Sequence, residues 1–484
     1  MSINNKIQKI SDIILNKHNF ALVYISFLLL RSVFFLQIYV DVICKICLLW
    51  GILIALFDLF KYKLKFFKVS DSFLPLLLCV SYIISIVLNF EYSLYGGIKN
   101  LMYLGIYFFV LLSIRKEENK EDFFKFLKRN NDVFIAINML IGIASIITFF
   151  FSVHTIYSVG TDAYKVGFWF NRLNGVCNSN METVMGLISV ALCLLNIYLC
   201  KGKPGKIKAL YISNFIVQFI YYSLSGSRAA TVCYAVLAVI IIAFWAYPTF
   251  KDKFGNLKAL SLVALSVVIL VVGELGVTKA TQFTMKYAAY GINIIMGGEN
   301  TEDNSIDFER VEDFENGDIT NNRAAMWTSA YKIVKQFPVF GVAYAQQMDI
   351  DGNINPKIDA SVFNEADLSA LNAAGFYFHN GFVQMILCGG IFFFVIFVLF
   401  TAKKAWKFIK YLFSRVNRKS KNFAVVVILF ALIAALIVDN IVEVHIMFSG
   451  QDSVAAFLWY LLGCGLFIID SEKETEVIAD AQKV

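Results

Sequence analysis

Phe378-His379-Asn380-Gly381 holds the one histidine of this chain that is followed by Asn-Gly, and it stands where a long polar stretch ends and an apolar run, Phe382 to Phe400, begins. An imidazole there can gain and lose a proton near neutral pH at a membrane surface. Three arginines, Arg172, Arg228 and Arg323, occupy matching positions at the edges of other runs. A guanidinium takes two oxygens of one phosphate or carboxylate at once. A base beside guanidiniums is equipment for proton transfer next to a bound anion, although a lone histidine can also cap a helix or pack at the interface.

Each arginine has two readings. Arg323 falls in the first turn of a helix expected near 322–337, where Met326, Ala330, Ile333, Val334 and Phe337 share a face, Asn321 or Asn322 can cap, and Pro338 with Gly341 ends the run. A cation at the positive end of a helix dipole is mildly unfavourable. Either an anion shared with the free helix N–H groups or a salt bridge to nearby acids explains it. Arg228, in Ser225-Gly226-Ser227-Arg228, opens a membrane helix at the tip of a tight hairpin. It either snorkels to headgroups or holds an anion, with Ser227 and Gly226 allowing a phosphate to approach backbone amides. Arg172 lies in Asn171-Arg172-Leu173-Asn174-Gly175, followed by Asn178 and Asn180. This Asn-rich stretch suits hydroxyl-rich ligands and equally an ordinary capped loop. Asp439 and Glu443, four apart, could orient the histidine, bind sugar hydroxyls or mark a helix end.

Metal chemistry finds little support. His154 and His445 show no ligand spacing. Asp349-Ile-Asp351-Gly-Asn353 lacks the glycine position and the closing Glu of a calcium loop, and Cys44-x-x-Cys47 has no second pair.

The elements that must position these residues are membrane helices. With 58% hydrophobic residues, 16% charged, 47 Phe and five Pro, the chain is too apolar for a soluble protein of its length. About twelve stretches approach bilayer length, near 19–40, 42–60, 72–90, 94–114, 133–153, 182–200, 209–224, 229–247, 259–278, 380–401, 423–442 and 453–470. The expected fold class is therefore all-α, a polytopic integral membrane protein with one large, partly helical extracytoplasmic loop. Lys and Arg crowd alternate connections, as in Lys61 to Lys68, Arg115 to Arg129, Lys201 to Lys208, Lys251 to Lys258 and Lys403 to Lys421, so both termini are expected in the cytoplasm. No cleavable signal peptide is visible. The expected organisation is nine helices over 1–278, an extracytoplasmic loop over 279–377, three helices over 378–470 and a cytoplasmic tail over 471–484. The loop carries fourteen acids against seven Lys and Arg, densest from Glu299 to Asp318. The net charge of +7 is then mostly a topology signal, and no basic patch suggests nucleic acid.

Taken in order, Asn171-Arg172-x-x-Gly175 with Asn178 and Asn180, Ser225-Gly-Ser-Arg228-Ala, Asn322-Arg323-x-x-x-Trp327 ending at Pro338-x-x-Gly341, His379-Asn380-Gly381 before Gly389-Gly390, and Glu443 before the last span resemble the O-antigen ligase and O-antigen polymerase family of bacterial surface-polysaccharide assembly. Each motif is short; the ordered set covers most of residues 150 to 465. The resemblance implies a multi-pass bacterial cytoplasmic-membrane enzyme that moves a glycan from an undecaprenyl-diphosphate carrier to an acceptor hydroxyl on the extracytoplasmic face. It implies His379 as base, with inversion at the sugar carbon, and Arg228 and Arg323 as the essential arginines. Arg172, Asn174, Asn180, Ser227, Asn380 and Glu443 are the expected substrate-binding residues. The donor is already activated, so no metal or cofactor is demanded. The expected partners are the undecaprenyl-diphosphate-linked oligosaccharide, an acceptor glycan or glycolipid, the bilayer and a chain-length regulator.

The favoured activity is polymerisation of O-antigen or capsular repeat units; the alternative is ligation to lipid A core or protein. A transporter or flippase of lipid-linked glycans is the third reading, and it would be expected to bury charge near the midplane or show internal repeats. No repeat is evident. Charges outside the inner loops gather at the outer surface, apart from Arg31, Lys45 and Lys99, which have no assigned role.

Overall fold

The computed structural model describes residues 11–63, 73–114, 119–159, 162–199, 205–295, 307–308, 323–343, 354–375, 377–414 and 416–481. The all-α expectation holds: the described residues form a helical membrane bundle with one small sheet. In chain order the helices are α1 (Lys17–Arg31), α2 (Gln37–Tyr62), α3 (Phe73–Leu88), α4 (Phe90–Ile106), α5 (Lys120–Phe150), α6 (Ser179–Leu199), α7 (Gly205–Ser225), α8 (Arg228–Phe254), α9 (Asn256–Ile295), α10 (Arg323–Gln336), α11 (Glu365–Ala374), α12 (Gly381–Phe413), α13 (Phe423–Asp439) and α14 (Ser453–Ala481). Eight of the described helices are long and apolar enough to cross a bilayer, and α3 and α13 are shorter apolar helices. The remaining two expected stretches fall on α1 and α7.

Several boundaries differ from expectation. The first stretch breaks at Ser32-Val33, so Phe34 onward belongs to α2 and the short turn before it. Helix α9 runs 40 residues, well past 278, and at 1.5 Å per residue spans roughly 60 Å, about twice a hydrocarbon core. The start of the expected loop is therefore helix. Of the acidic run 299–318 only residues 307 and 308 are described; the caps at Asn321 and Asn322 and the Asp349–Asn353 segment lie outside the described residues.

The stretch expected to be a polar loop before α6 is instead a three-stranded antiparallel sheet, β1 (His154–Val159), β2 (Asp162–Trp169) and β3 (Arg172–Gly175). Val159 pairs with Asp162, and Trp169 pairs with Arg172. Positive φ at Phe170 and Asn171 turns the chain between β2 and β3.

Helices α13 and α14 form the centre, with Ser453 to Ile469 of α14 buried without interruption, while the most apolar stretch of α9 has none of its residues buried in the protein. Helix α8 packs along α13, which brings the start of one next to the end of the other.

One junction positions the arm that carries Arg323. Helix α12 breaks at Gly390, whose φ of 73° and ψ of 180° suit essentially only glycine. Ile391 N–H donates to the Pro338 carbonyl (2.9 Å), Phe392 N–H to that of Val339 (3.2 Å) and Val342 N–H to that of Leu387 (2.9 Å). The turn after α10 thus supplies partners where the helix breaks. A Cβ on Gly390 would lie 2.1 Å from the Val339 oxygen, and one on Gly341 would lie 2.4 Å from the Leu387 oxygen. The two glycine motifs seen in the sequence are the two sides of one close approach.

Candidate functional site

Five chain segments converge at one end of the bundle. The segment from the start of β3 to the start of α6 contributes Arg172 and Asn180, the α7–α8 turn contributes Ser227 and Arg228, the first residue of α10 is Arg323, α12 begins just after His379 and Asn380, and the α13–α14 connection carries Glu443. Arg172, Asn180, Ser227, Arg228, Arg323, Trp327, Asp439 and Glu443, with the apolar Val232, Val438, Ile441 and Val442, are among the residues that line a half-open cavity of about 360 Å³. Three guanidiniums therefore share it with two carboxyl groups.

Local chemistry places each part. Ser227 caps α8, accepting from Ala230 N–H (3.4 Å), after a turn in which Gly226 takes φ 57°. The Asn380 side chain caps α12 by accepting from the N–H groups of Phe382 (2.9 Å) and Val383 (3.0 Å), and it donates to the Ile441 carbonyl (2.9 Å). Gly381 N–H donates to the carbonyls of Asn440 and Glu443, and a Cβ there would come within 2.6 Å of the Asn440 side chain. His-Asn-Gly is thus a capped helix start clamped to the 440–443 segment. His379 itself has φ 47°, an uncommon conformation for a residue with a Cβ. Trp327 Nε1 donates to the Phe378 carbonyl (2.8 Å), tying α10 to the same point.

Glu443, only 7% exposed, joins three motifs. Its Oε1 accepts from Asn180 Nδ2 (2.8 Å) and Arg323 Nη2 (2.9 Å), and its Oε2 lies 3.2 Å from His379 Nδ1. Arg323 Nη1 also donates to the Val442 carbonyl (2.7 Å), and Asn180 Oδ1 accepts from Arg172 Nη2 (2.7 Å). Burial alone would raise the Glu443 carboxyl, but the His379 hydrogen bond and the charges of His379, Arg323 and His445 bring it down to about 2. The carboxylate fixes Nδ1 of His379 as the protonated nitrogen, an assignment made from the hydrogen-bond pattern, and leaves Nε2 as the basic one. The His379 side chain is 39% exposed, so Nε2 can meet a substrate.

Behind the cavity, His445 Nδ1 pairs with Asp452 Oδ2 at 2.6 Å, and its Nε2 is 3.8 Å from Asp439 Oδ2. Burial works against the imidazolium, yet the charge and hydrogen bond of Asp452 and the charges of Asp439 and Glu443 raise it to about 10 from 6.5. A raised pKa contributes stability that is fully present below 6.5 and is lost as pH rises towards about 10. Glu443 works the other way: its contribution is present above 4.5 and lost as pH falls towards about 2. Thermal stability in detergent is expected to decline from neutral pH into the alkaline range, and His445→Gln is expected to flatten that decline. Parallel wild-type and variant curves would show that this charge does not hold the segment.

Of the residues singled out in the sequence, Arg172, Asn180, Ser227, Arg228, Arg323 and Glu443 share the cavity, and His379 joins them through Glu443. Asn174 and Asn380 are not among its lining residues: the Asn174 carbonyl accepts from the Tyr221 hydroxyl at 3.1 Å, and Asn380 is the helix cap. His154 stacks on Trp169, far in role from His445, and no group of three or more His, Cys, Asp or Glu among the described residues could hold a metal ion. The His445–Asp452 pair was not foreseen. Its signal was the density of polar residues, Asn440, Glu443, His445 and Asp452, in a connection between two apolar helices.

Residues 214–398 match the family described as O-antigen ligase. The match includes Arg228, Arg323 and His379 and stops before Glu443. No curated protein matches the chain.

Proposed function

We propose, from the match of residues 214–398 to the O-antigen ligase family, whose members are glycosyltransferase-like enzymes acting on lipid-linked glycans, that this chain polymerises undecaprenyl-diphosphate-linked repeat units. The observation that carries the chemistry is Glu443, a carboxylate lining the three-arginine cavity that binds both the Arg323 arm and His379. The donor's diphosphate lies against Arg228, Arg323 and Arg172. The two hydrogen bonds Arg323 makes within the protein leave three of its five N–H donors for phosphate oxygens. An acceptor hydroxyl attacks the anomeric carbon and gives its proton to His379 Nε2 as the bond to the diphosphate oxygen breaks. Charge grows on that oxygen in the transition state, where guanidiniums in a partly dehydrated cavity act most strongly. Attack opposite the leaving group inverts the sugar carbon.

We place this end of the bundle on the extracytoplasmic side. The lysine-rich 403–421 segment lies at the far end, where Lys407 pairs with Asp470 and Ser420 binds Glu472, and this supports a cytoplasmic assignment there.

The test is incubation of purified protein in liposomes with the lipid-linked repeat unit and no other acceptor. A ladder of glycolipids supports polymerase. Transfer seen only when lipid A core or a protein acceptor is added would instead support the ligase that the matched family's description names. Arg228→Lys is expected to lower turnover by about 10²-fold, because a point charge cannot reproduce the two-oxygen contact of the guanidinium. Full activity in that variant would remove Arg228 from the diphosphate site.

A further inference from the structure

Arg31, Lys45 and Lys99, which topology and the cavity leave unexplained, come together around one carboxylate. Arg31, the last residue of α1, donates from Nε to Asp41 Oδ1 (3.0 Å), and Lys45 Nζ meets Asp41 Oδ2 at 2.8 Å. Lys99 is on α4, which packs against α2 with Gly51 facing Ile106, so that Lys45 and Lys99 stand six and seven residues before that contact on neighbouring helices; Lys99 makes no hydrogen bond or ion pair among the described residues. The neighbouring carboxylate, Asp452, is engaged by His445. Three cations thus lie near one acid: Lys45 and Lys99 sit on α2 and α4, two of the helices apolar enough to span a bilayer, and Arg31 ends α1 beside them.

Ionisable groups in membrane helices normally pair, and the excess of two positive charges that Arg31, Lys45 and Lys99 leave over Asp41 among the described residues suits an anionic ligand. Lys45 and Lys99 lie eight and nine residues into their helices, roughly 12–14 Å from the site end. Exposed Ile38, Val42 and Ile46 on α2 and Ile98 on α4 border the cluster. A ligand reaching it from the side needs an anionic head and an apolar tail. A lipid diphosphate ester carries about two negative charges, which matches the surplus, whereas a phospholipid phosphodiester carries one.

We propose that Arg31, Lys45 and Lys99 form a second lipid-diphosphate site, which holds the carrier of the acceptor glycan while the arginine cavity holds that of the donor. This rests on the polymerase reading, in which two lipid-linked glycans are bound at once. The acceptor's attacking hydroxyl is separated from its own diphosphate by intervening sugars, so the two diphosphates cannot share one cavity. Arg31 Nη1 reaches the Gln451 carbonyl (3.5 Å), which links the cluster to the segment bearing Glu443.

Native mass spectrometry of the purified full chain with undecaprenyl diphosphate tests this. Wild type is expected to bind two lipids per chain. The combined Arg31→Gln, Lys45→Gln, Lys99→Gln variant should keep one of them, with the other weakened at least about tenfold, and should bind donor without making a ladder. Asp41→Asn, which removes the carboxylate that pairs with Arg31 and Lys45, should bind the second lipid several-fold more tightly, an effect that misfolding cannot imitate. Displacement by equimolar phosphatidylglycerol would make the cluster an ordinary headgroup anchor and overturn the proposal. A triple variant that keeps both lipids and a normal ladder would also overturn it while leaving the polymerase reading intact. If the variant loses one lipid but wild type makes no ladder under any condition, the lipid-diphosphate site stands and the polymerase reading falls together with the acceptor assignment.

Discussion

His379→Ala should stop polymer formation while leaving donor binding close to wild type. Positioned proton transfer is typically worth about 10²–10⁴-fold, and His379 is half-exposed and held by a buried carboxylate that lines the arginine cavity. In the proposed reading the diphosphate is held by arginines on other segments, so loss of His379 should fall on kcat and not on donor affinity. The measurement is single-turnover transfer with saturating lipid-linked donor, alongside a donor-binding titration. Added imidazole should restore part of the rate if the missing function is a base. A variant within tenfold of wild type, with no response to imidazole, would reduce His379 to a structural residue. A carrier of lipid-linked glycans would behave differently again, keeping most of its flux.

Glu443→Gln should be nearly as damaging although the side chain keeps its size. The carboxylate accepts from Asn180 and Arg323 on one oxygen and faces His379 on the other. An amide has only one oxygen, so its NH2 must confront either those donors or the Nδ1–H of the imidazole. In the second case the histidine moves its proton to Nε2 and loses the lone pair that takes the acceptor's proton in the proposed mechanism. Loss of the correct tautomer costs other acid–base sites several orders of magnitude, and a fall of about 10³-fold in kcat is expected here. Glu443→Asp keeps the charge and should be milder. A glutamine variant with kcat within threefold of wild type would show that the carboxylate does not set the tautomer.

The membrane helices were legible because repeated apolar runs of bilayer length are rare outside membrane spans, and α10 was legible from its periodicity and from Pro338. Their limits were less so. Lys279, Gln282 and Lys286 end the apolar run of α9 without breaking its helix, so hydropathy marked a membrane edge and not a helix end. The sheet had a visible signal: alternating β-branched and aromatic residues in His154 to Val159 and Asp162 to Trp169, with Gly160 between them. The candidate residues could be named one by one, but their connection could not. Asn180, Arg323 and His379 reach Glu443 from 263, 120 and 64 positions away, and no spacing rule encodes such distances.

The interlock between the Pro338–Val342 turn and the broken turn of α12 links two segments of the chain. Arg323 takes its place from the segment C-terminal to it, through the backbone bonds to α12, and from the Val442 carbonyl. Any displacement of α12 at its broken turn is therefore passed through the Pro338–Val342 turn to α10 and the guanidinium at its start.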